Sequence, residues 1–174
     1  ALSRHATSKI GTIADLTSIK SLGFRGEALA SIGSVSELII KSKFVAAGET
    51  FEISSSYGEA TEVKPSQYLE GTLIEIKNLF RSIPARLKFL KSDRAEGISI
   101  LEVVKKLSLS NPKISFKLYE IKDAENPREI LWLQGSTDAN GRSERIKEVL
   151  KNAFMENSHQ VDYQNERIKI NGYI

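Results

Sequence analysis

Ser21-Leu-Gly-Phe-Arg-Gly-Glu-Ala-Leu-Ala-Ser-Ile-Gly33 reads as a glycine-bearing loop running into a short helix. Gly23 and Gly26 bracket the entry, good helix formers occupy Glu27–Ala30, and Gly33 is predicted to close the helix in a left-handed cap. A helix begun this way points unpaired backbone N–H groups at whatever precedes it. Those donors and the helix dipole suit an anionic ligand, above all a phosphate chain. The spacing is neither that of a P-loop nor that of the three-glycine dinucleotide fingerprint. A plain turn is the other reading the same residues allow.

Upstream, Arg4-His-Ala-Thr-Ser-Lys-Ile10 sets the hydroxyls of Thr7 and Ser8 beside the cation of Lys9. Phosphate sites combine backbone donors with hydroxyls and one or two cations, so Thr7, Ser8, Lys9 and Arg25 are candidates. The alternative is a solvated charged face. Glu27 could act as a general base or simply complement the helix dipole. His5, beside Arg4, could be a ligand or a base, or a hydrogen-bonded surface residue. Thr12 is predicted to cap a short helix with Asp15 as reciprocal partner and Ile13, Leu16 and Ile19 as its apolar stripe.

Beyond the loop, Val35–Lys41 holds the apolar run Leu38-Ile39-Ile40 and is predicted as a strand. Phe51–Ser55 and Thr61–Lys64 are weaker strands around a Tyr57-Gly58-Glu59 turn, the second ended by Pro65. In Gly71–Lys77, Thr72, Ile74 and Ile76 share one strand face and Leu73, Glu75 and Lys77 the other. Thr72 could bond a base or a water, or merely fit the pleat. Pro84 suits the first position of a helix carrying Lys88-Phe89-Leu90-Lys91. A second helix, from about Arg94 to Leu109, has Ile100, Val103, Val104 and Leu107 as its buried stripe. Strands follow near Ile114–Tyr119 and Glu129–Gln134. Gly135–Gly141 is the expected linker. A helix burying Ile146, Val149, Leu150, Ala153 and Phe154 comes next, then two strands between Gln160 and Ile174. Strands and helices mix without strict βαβ alternation, so the fold class is α+β with a mostly antiparallel sheet.

Arg81, Arg86, Lys88, Lys91 and Arg94 form the most basic short window. The last three are three apart, which would collect charge on one helix face. Such a stripe can follow a nucleic-acid backbone without reading sequence; a solvated helix face is the alternative. Phe80 and Phe89 are expected in the core rather than as stacking platforms.

The 174 residues, 40% hydrophobic and 27% charged, fit a globular chain that can bury a core. With no cysteine, disulfides and thiolate metal sites are excluded, and the cytosol is the default compartment. Only His5 and His159 could serve a histidine-dependent triad. No apolar run approaches a membrane span. The net charge of +3 permits a polyanionic partner without requiring one. The chain starts at Ala1 and stops inside an expected strand, which reads as a piece of a longer protein.

Three segments occur in one order: Arg4–Ile10, Gly23-Phe-Arg-Gly-Glu-Ala-Leu29, and Gly71-Thr72 before a strand with Pro84-Ala-Arg86 after it. Together they resemble the amino-terminal ATPase region of the MutL family of DNA mismatch repair proteins, within the superfamily of DNA gyrase, Hsp90 and histidine kinases. The resemblance runs essentially end to end, weakening after about Gly135. It implies a two-layer Bergerat-type ATPase fold, a mixed, mostly antiparallel sheet with helices on one face, over residues 1–134. It further implies a linker at 135–141 and the start of a ribosomal-S5-like domain at 142–174.

The resemblance implies ATP as ligand. Thr7, Ser8 and Lys9 resemble the lid that orders around nucleotide, and Gly23, Phe24, Arg25, Gly26, Glu27, Ala28 and Leu29 resemble the loop that wraps the triphosphate. Thr72 resembles the threonine that helps fix adenine. Lys88 and Lys91 fall where family members carry cations lining a DNA groove. Self-association through this region and a MutS-type partner are implied as well, in the cytoplasm or nucleoid of a bacterium or the nucleus of a eukaryote. Arg81-Ser82 stand where the family commonly has Tyr-Asn. The family's catalytic glutamate and magnesium-binding asparagine are expected upstream of Ala1, and the lysine that reaches the terminal phosphate beyond Ile174. No catalytic or metal-binding residue is therefore assigned within the chain, which is expected not to turn over ATP by itself. The rival classes are a non-enzymatic nucleic-acid-binding module and the ATPase region of a type II topoisomerase.

Overall fold

Five strands of the first half form one sheet around β1: β1 (Glu37–Lys43), β2 (Thr50–Ser56), β3 (Glu59–Ala60), β4 (Lys64–Ser66) and β5 (Gly71–Lys77). A computed structural model describes residues 1–174 except Lys20, Ala47, Tyr68, Leu69 and Ala139. β1 pairs antiparallel with β2 on one side and β5 on the other. Its alternation sends Leu38 and Ile40 to one face, where both are buried. On that face Leu38 stands opposite Ile76, Ile40 opposite Ile74, and Ser42 opposite Thr72. Helix α1 (Ala28–Gly33) packs on β1, and Gly33 closes against the side chains of Leu38 and Ser55.

The β2–β3 turn has positive φ at both Tyr57 and Gly58, the conformation that matches strand twist in a two-residue hairpin. Pro65 does not end a strand; it lies inside β4, which pairs only with β2. An edge strand tolerates the missing N–H. Thr61 stays outside the strands and bonds Ser54 through its hydroxyl. The opposite face of the sheet is charged. Glu52 takes Lys41 at 3.1 Å and Lys64 at 3.2 Å, while the Ser66 hydroxyl donates to it. The bonds from Lys41 and then Lys64 hold the Glu52 carboxyl below its ordinary value.

The chain forms two compact units, Ala1–Leu90 and Lys91–Ile174. Helix α2 (Pro84–Leu87) belongs to the first. The second contains α3 (Asp93–Ser110), the hairpin β6 (Phe116–Glu120) with β7 (Arg128–Leu133), α4 (Gly141–Glu156), and the hairpin β8 (Gln160–Gln164) with β9 (Lys169–Tyr173). Every strand pair described in either unit is antiparallel, as the α+β reading expects. Among the described residues no helix is long and apolar enough to cross a membrane.

Arg145 organises the second unit. Its side chain is 1% exposed, and its guanidinium donates to the carbonyls of Ser108, Pro112, Ile114 and Gln134. One cation thus ties the end of α3, the entry to β6 and the exit of β7 to α4. Gly135 and Gly141, the two ends of the expected linker, both fall in this unit, one after β7 and the other in the first turn of α4, while Ala139 lies outside the described residues. The buried face of α4 uses Arg145 and Val149, whereas Leu150 is exposed. Ile100 and Val103 are exposed too, so the stripe expected on α3 is covered only in part.

Two outcomes follow from these contacts. Arg145→Leu removes the side-chain donor from four inward carbonyls, of which Ser108 and Pro112 keep the N–H groups of Asn111 and Ser136, and should cost about 3 kcal/mol, read as a lower denaturant midpoint. Hydrogen exchange should accelerate in 91–174 and hold in 37–77. Because folding lowers the Glu52 value, its contribution is present above the unfolded value and is lost as pH falls through the folded one. Melting temperature should therefore drop less for Glu52→Gln than for wild type between about pH 5 and about pH 3.

Candidate functional site

The two sequence segments singled out for anion binding meet in the structure. Gly26 has φ +68 and lies so close to Ala6 that an added Cβ would collide with the Ala6 carbonyl. A residue without a side chain is needed there both for backbone freedom and for contact. Immediately after it, Glu27 is the N-cap of α1, yet its carboxylate makes no capping bond. One oxygen lies 2.9 Å from His5 Nδ1 and the other 3.0 Å from Arg25 Nε. Glu27 therefore joins Arg4–Ile10 to Gly23–Leu29. A carboxylate committed to two partners on its own chain is not placed as a free base.

Within the first segment Thr7 Oγ1 accepts from the Lys9 backbone at 3.1 Å, and Thr7 is half-buried while Ser8 and Lys9 are exposed. In the second, Gly23, Phe24 and Ala28 are exposed, and Gly26, Glu27 and Leu29 are half-buried. Arg25 leaves 76% of its side chain in solvent beyond the Glu27 contact. Helix α1 has only six residues, so its dipole is short and the cradle rests on the loop and on Arg25. The left-handed residue is Gly26 before the helix, not Gly33 at its end. The C-cap is Ser34 with φ −70, and Gly33 is small because Ser55 and Leu38 press on it. The Thr12–Asp15 segment is a 3-10 helix over Ile13–Ser18 with Ile13 and Leu16 exposed. Asp15 accepts from the backbones of Gly11 and Thr12, and these bonds lower its value.

Thr72 lies elsewhere on the first unit, near the start of β5 and on the same face as Ile74 and Ile76. Its hydroxyl is 3.0 Å from that of Ser42 on β1. No described hydrogen bond or ion pair joins Thr72 to the Gly23–Leu29 loop. The basic window is broken up. α2 ends at Leu87 with Lys88 as its C-cap, α3 begins at Asp93, and so Lys88, Lys91 and Arg94 do not share one helix. Lys91 gives its backbone N–H to Glu96, which draws the chain into the start of α3. Phe89 is 86% exposed rather than buried, and the Arg86 guanidinium lies over Phe80. Among the described residues no three His, Asp or Glu side chains gather in a metal-holding group.

Sequence reading singles out His5 but not its partner, which the fold supplies in Glu27. One contributor escaped it: Ser42 looks like an ordinary strand serine. Its signal was the period of two that puts it on one face with Leu38 and Ile40.

No family model matches the chain. Among curated proteins, it is 41% identical to the DNA mismatch repair protein MutL of Brucella anthropi, over all of this chain and 27% of that protein. It is 45% identical to MutL of Azorhizobium caulinodans over 86% of this chain and 23% of that one. It is 39% identical to MutL of Rickettsia typhi over 99% and 28%. The chain thus spans about a quarter of the length of the curated relatives it matches. Among solved structures it is similar to the Aquifex aeolicus MutL ATPase domain complexed with ADP, with TM-score 0.65 and 29% identity over 87% of this chain and 55% of that one. A second structure of the ATPase domain from the Aquifex aeolicus mismatch repair endonuclease MutL gives TM-score 0.63 and 26% identity over 85% and 53%. Two of the three segments that carry the resemblance meet at Glu27, and the matches run along the whole chain: it belongs to the MutL family, as part of the N-terminal ATPase region.

Proposed function

We propose that this chain is the phosphate- and adenine-facing part of an ATP-binding region in a DNA mismatch repair factor. The observation that carries the reading is the joining of Arg4–Ile10 to Gly23–Leu29 by Glu27 and by the Gly26–Ala6 contact. The segment bearing Thr7, Ser8 and Lys9 is thereby tied to the loop bearing Arg25. A polyphosphate at the loop would meet the Arg25 guanidinium and loop N–H groups, and the segment tied to the loop carries the hydroxyls of Thr7 and Ser8 and the ammonium of Lys9, which suits the ligand's charge and its many acceptor oxygens. Thr72, beside Ser42 at one end of a sheet face that carries Ile40, Ile53 and Ile74, suits the base. The likeness to an ATPase domain complexed with ADP supports the same ligand.

Nucleotide would act as a switch. It binds best the arrangement in which both segments contact it, and so selects that arrangement. In the intact protein the selected state favours self-association of the ATPase regions, and hydrolysis releases it. Magnesium would accompany ATP; among the described residues no three His, Asp or Glu side chains gather that could hold it. Glu27 is a structural joint rather than the base that activates water. DNA binding through exposed cations, Lys88 and Lys91 among them, would be backbone-directed and salt-sensitive. A MutS-type protein is the partner that would supply mismatch recognition. Residues from Arg142 onward belong to a ribosomal-S5-like region, and the compact unit that holds them begins at Lys91.

Calorimetric titration of the intact protein with ATP tests the phosphate loop. Arg25→Ala should weaken binding by about tenfold or more, the loss of one charge-assisted hydrogen-bonding group. Gly26→Ala should weaken it as well, because the new Cβ meets the Ala6 carbonyl and forces the two segments apart. Unchanged affinity in both variants would remove the loop from the site.

A further inference from the structure

We propose that Ser42 is a positioning residue for the base-side threonine. The inference rests on the assignment of Thr72 to the adenine side and adds a partner that this assignment lacks. Ser42 and Thr72 are direct cross-strand neighbours in the β1–β5 ladder, with hydroxyl oxygens 3.0 Å apart. Phe51 of β2 is the cross-strand neighbour of Ser42 on its other side. The next row of the same face runs Ile53, Ile40, Ile74. The two hydroxyls therefore interrupt an apolar surface at one end, with the ring of Phe51 and the side chain of Ile74 both partly exposed beside them. A flat heteroaromatic base is matched by such a surface, since apolar walls take its faces and a few placed polar groups take its edge.

A lone hydroxyl on a strand rotates, offering one donor and two acceptor positions in any direction. Tied to Ser42, the Thr72 hydroxyl spends one of these positions on its neighbour, and its hydrogen and lone pairs are aimed accordingly. Thr72 is also β-branched and stiff about χ1, so the oxygen itself is held in place. Ordering the group before ligand arrives reduces what binding must immobilise. Ser42 lies one strand away from Thr72 and acts through it.

The test is a double-mutant cycle on the intact protein, read by binding of ATP and of inorganic tripolyphosphate. Ser42→Ala and Thr72→Ala should each weaken ATP binding by about fivefold, the worth of one ordinary hydrogen bond. The double variant should be no weaker than Thr72→Ala alone, because both changes remove one interaction. Ser42→Thr should restore wild-type affinity, and tripolyphosphate binding should not move in any variant. If Thr72→Ala weakens ATP binding while Ser42→Ala does not, the positioning role is wrong and the base-side reading survives. Losses that simply add, or that fall equally on tripolyphosphate, make Ser42 a structural residue only. If Thr72→Ala itself leaves ATP binding intact, the base-side reading fails and this inference falls with it.

Discussion

β1 is hydrogen-bonded on both edges, and the first unit depends on that constraint. A strand paired to β2 on one side and β5 on the other has no freedom to slip, because a shift of one residue would turn Leu38 and Ile40 out of the core. The fixed register sets Ser42 beside Thr72 at one end. At the other it sets Leu38 beneath α1, where Gly33 permits close approach. α1 in turn fixes its own N-cap, Glu27, and Glu27 fixes Arg25 and His5. A sequence of local contacts thus runs from a buried leucine to an exposed cation.

The second unit solves a different problem. Its helices bury few large apolar groups, and one of the inward-facing positions on α4 is filled by a guanidinium. A buried cation is costly unless every donor finds a partner. The two terminal nitrogens of Arg145 find four carbonyls, among them Ser108 at the end of α3, while its buried Nε makes no hydrogen bond and has only the Glu148 carboxylate 3.6 Å away. Stability there comes from satisfying backbone ends as much as from removing oil from water.

Regular alternation was the legible part of the sequence. Gly71–Lys77 falls where the pattern puts it, and Asn111-Pro112 stops α3 where a proline should. Turn chemistry was less legible. Gly33 ends a helix, and its place in the sequence suggests a cap, whereas its role is to admit Leu38 and Ser55, and contact across a fold leaves no local mark. The spacing of Lys88, Lys91 and Arg94 suits one helix face. The chain instead ends α2 at Leu87 and starts α3 afresh with Ser92 as N-cap. At the candidate site the motif residues were visible, and the joint between them was not. His5 and Glu27 are 22 positions apart, and only the fold makes them neighbours.

The claim that matters most is that Arg4–Ile10 and Gly23–Leu29 form one nucleotide-responsive site. Hydrogen exchange on the intact protein, with and without ATP, addresses it directly. Protection should rise together in residues 4–10 and 23–29 and in the strand bearing Thr72, while α3 and α4 change little. Protection that rises in only one of the two segments, or in neither, would contradict the account.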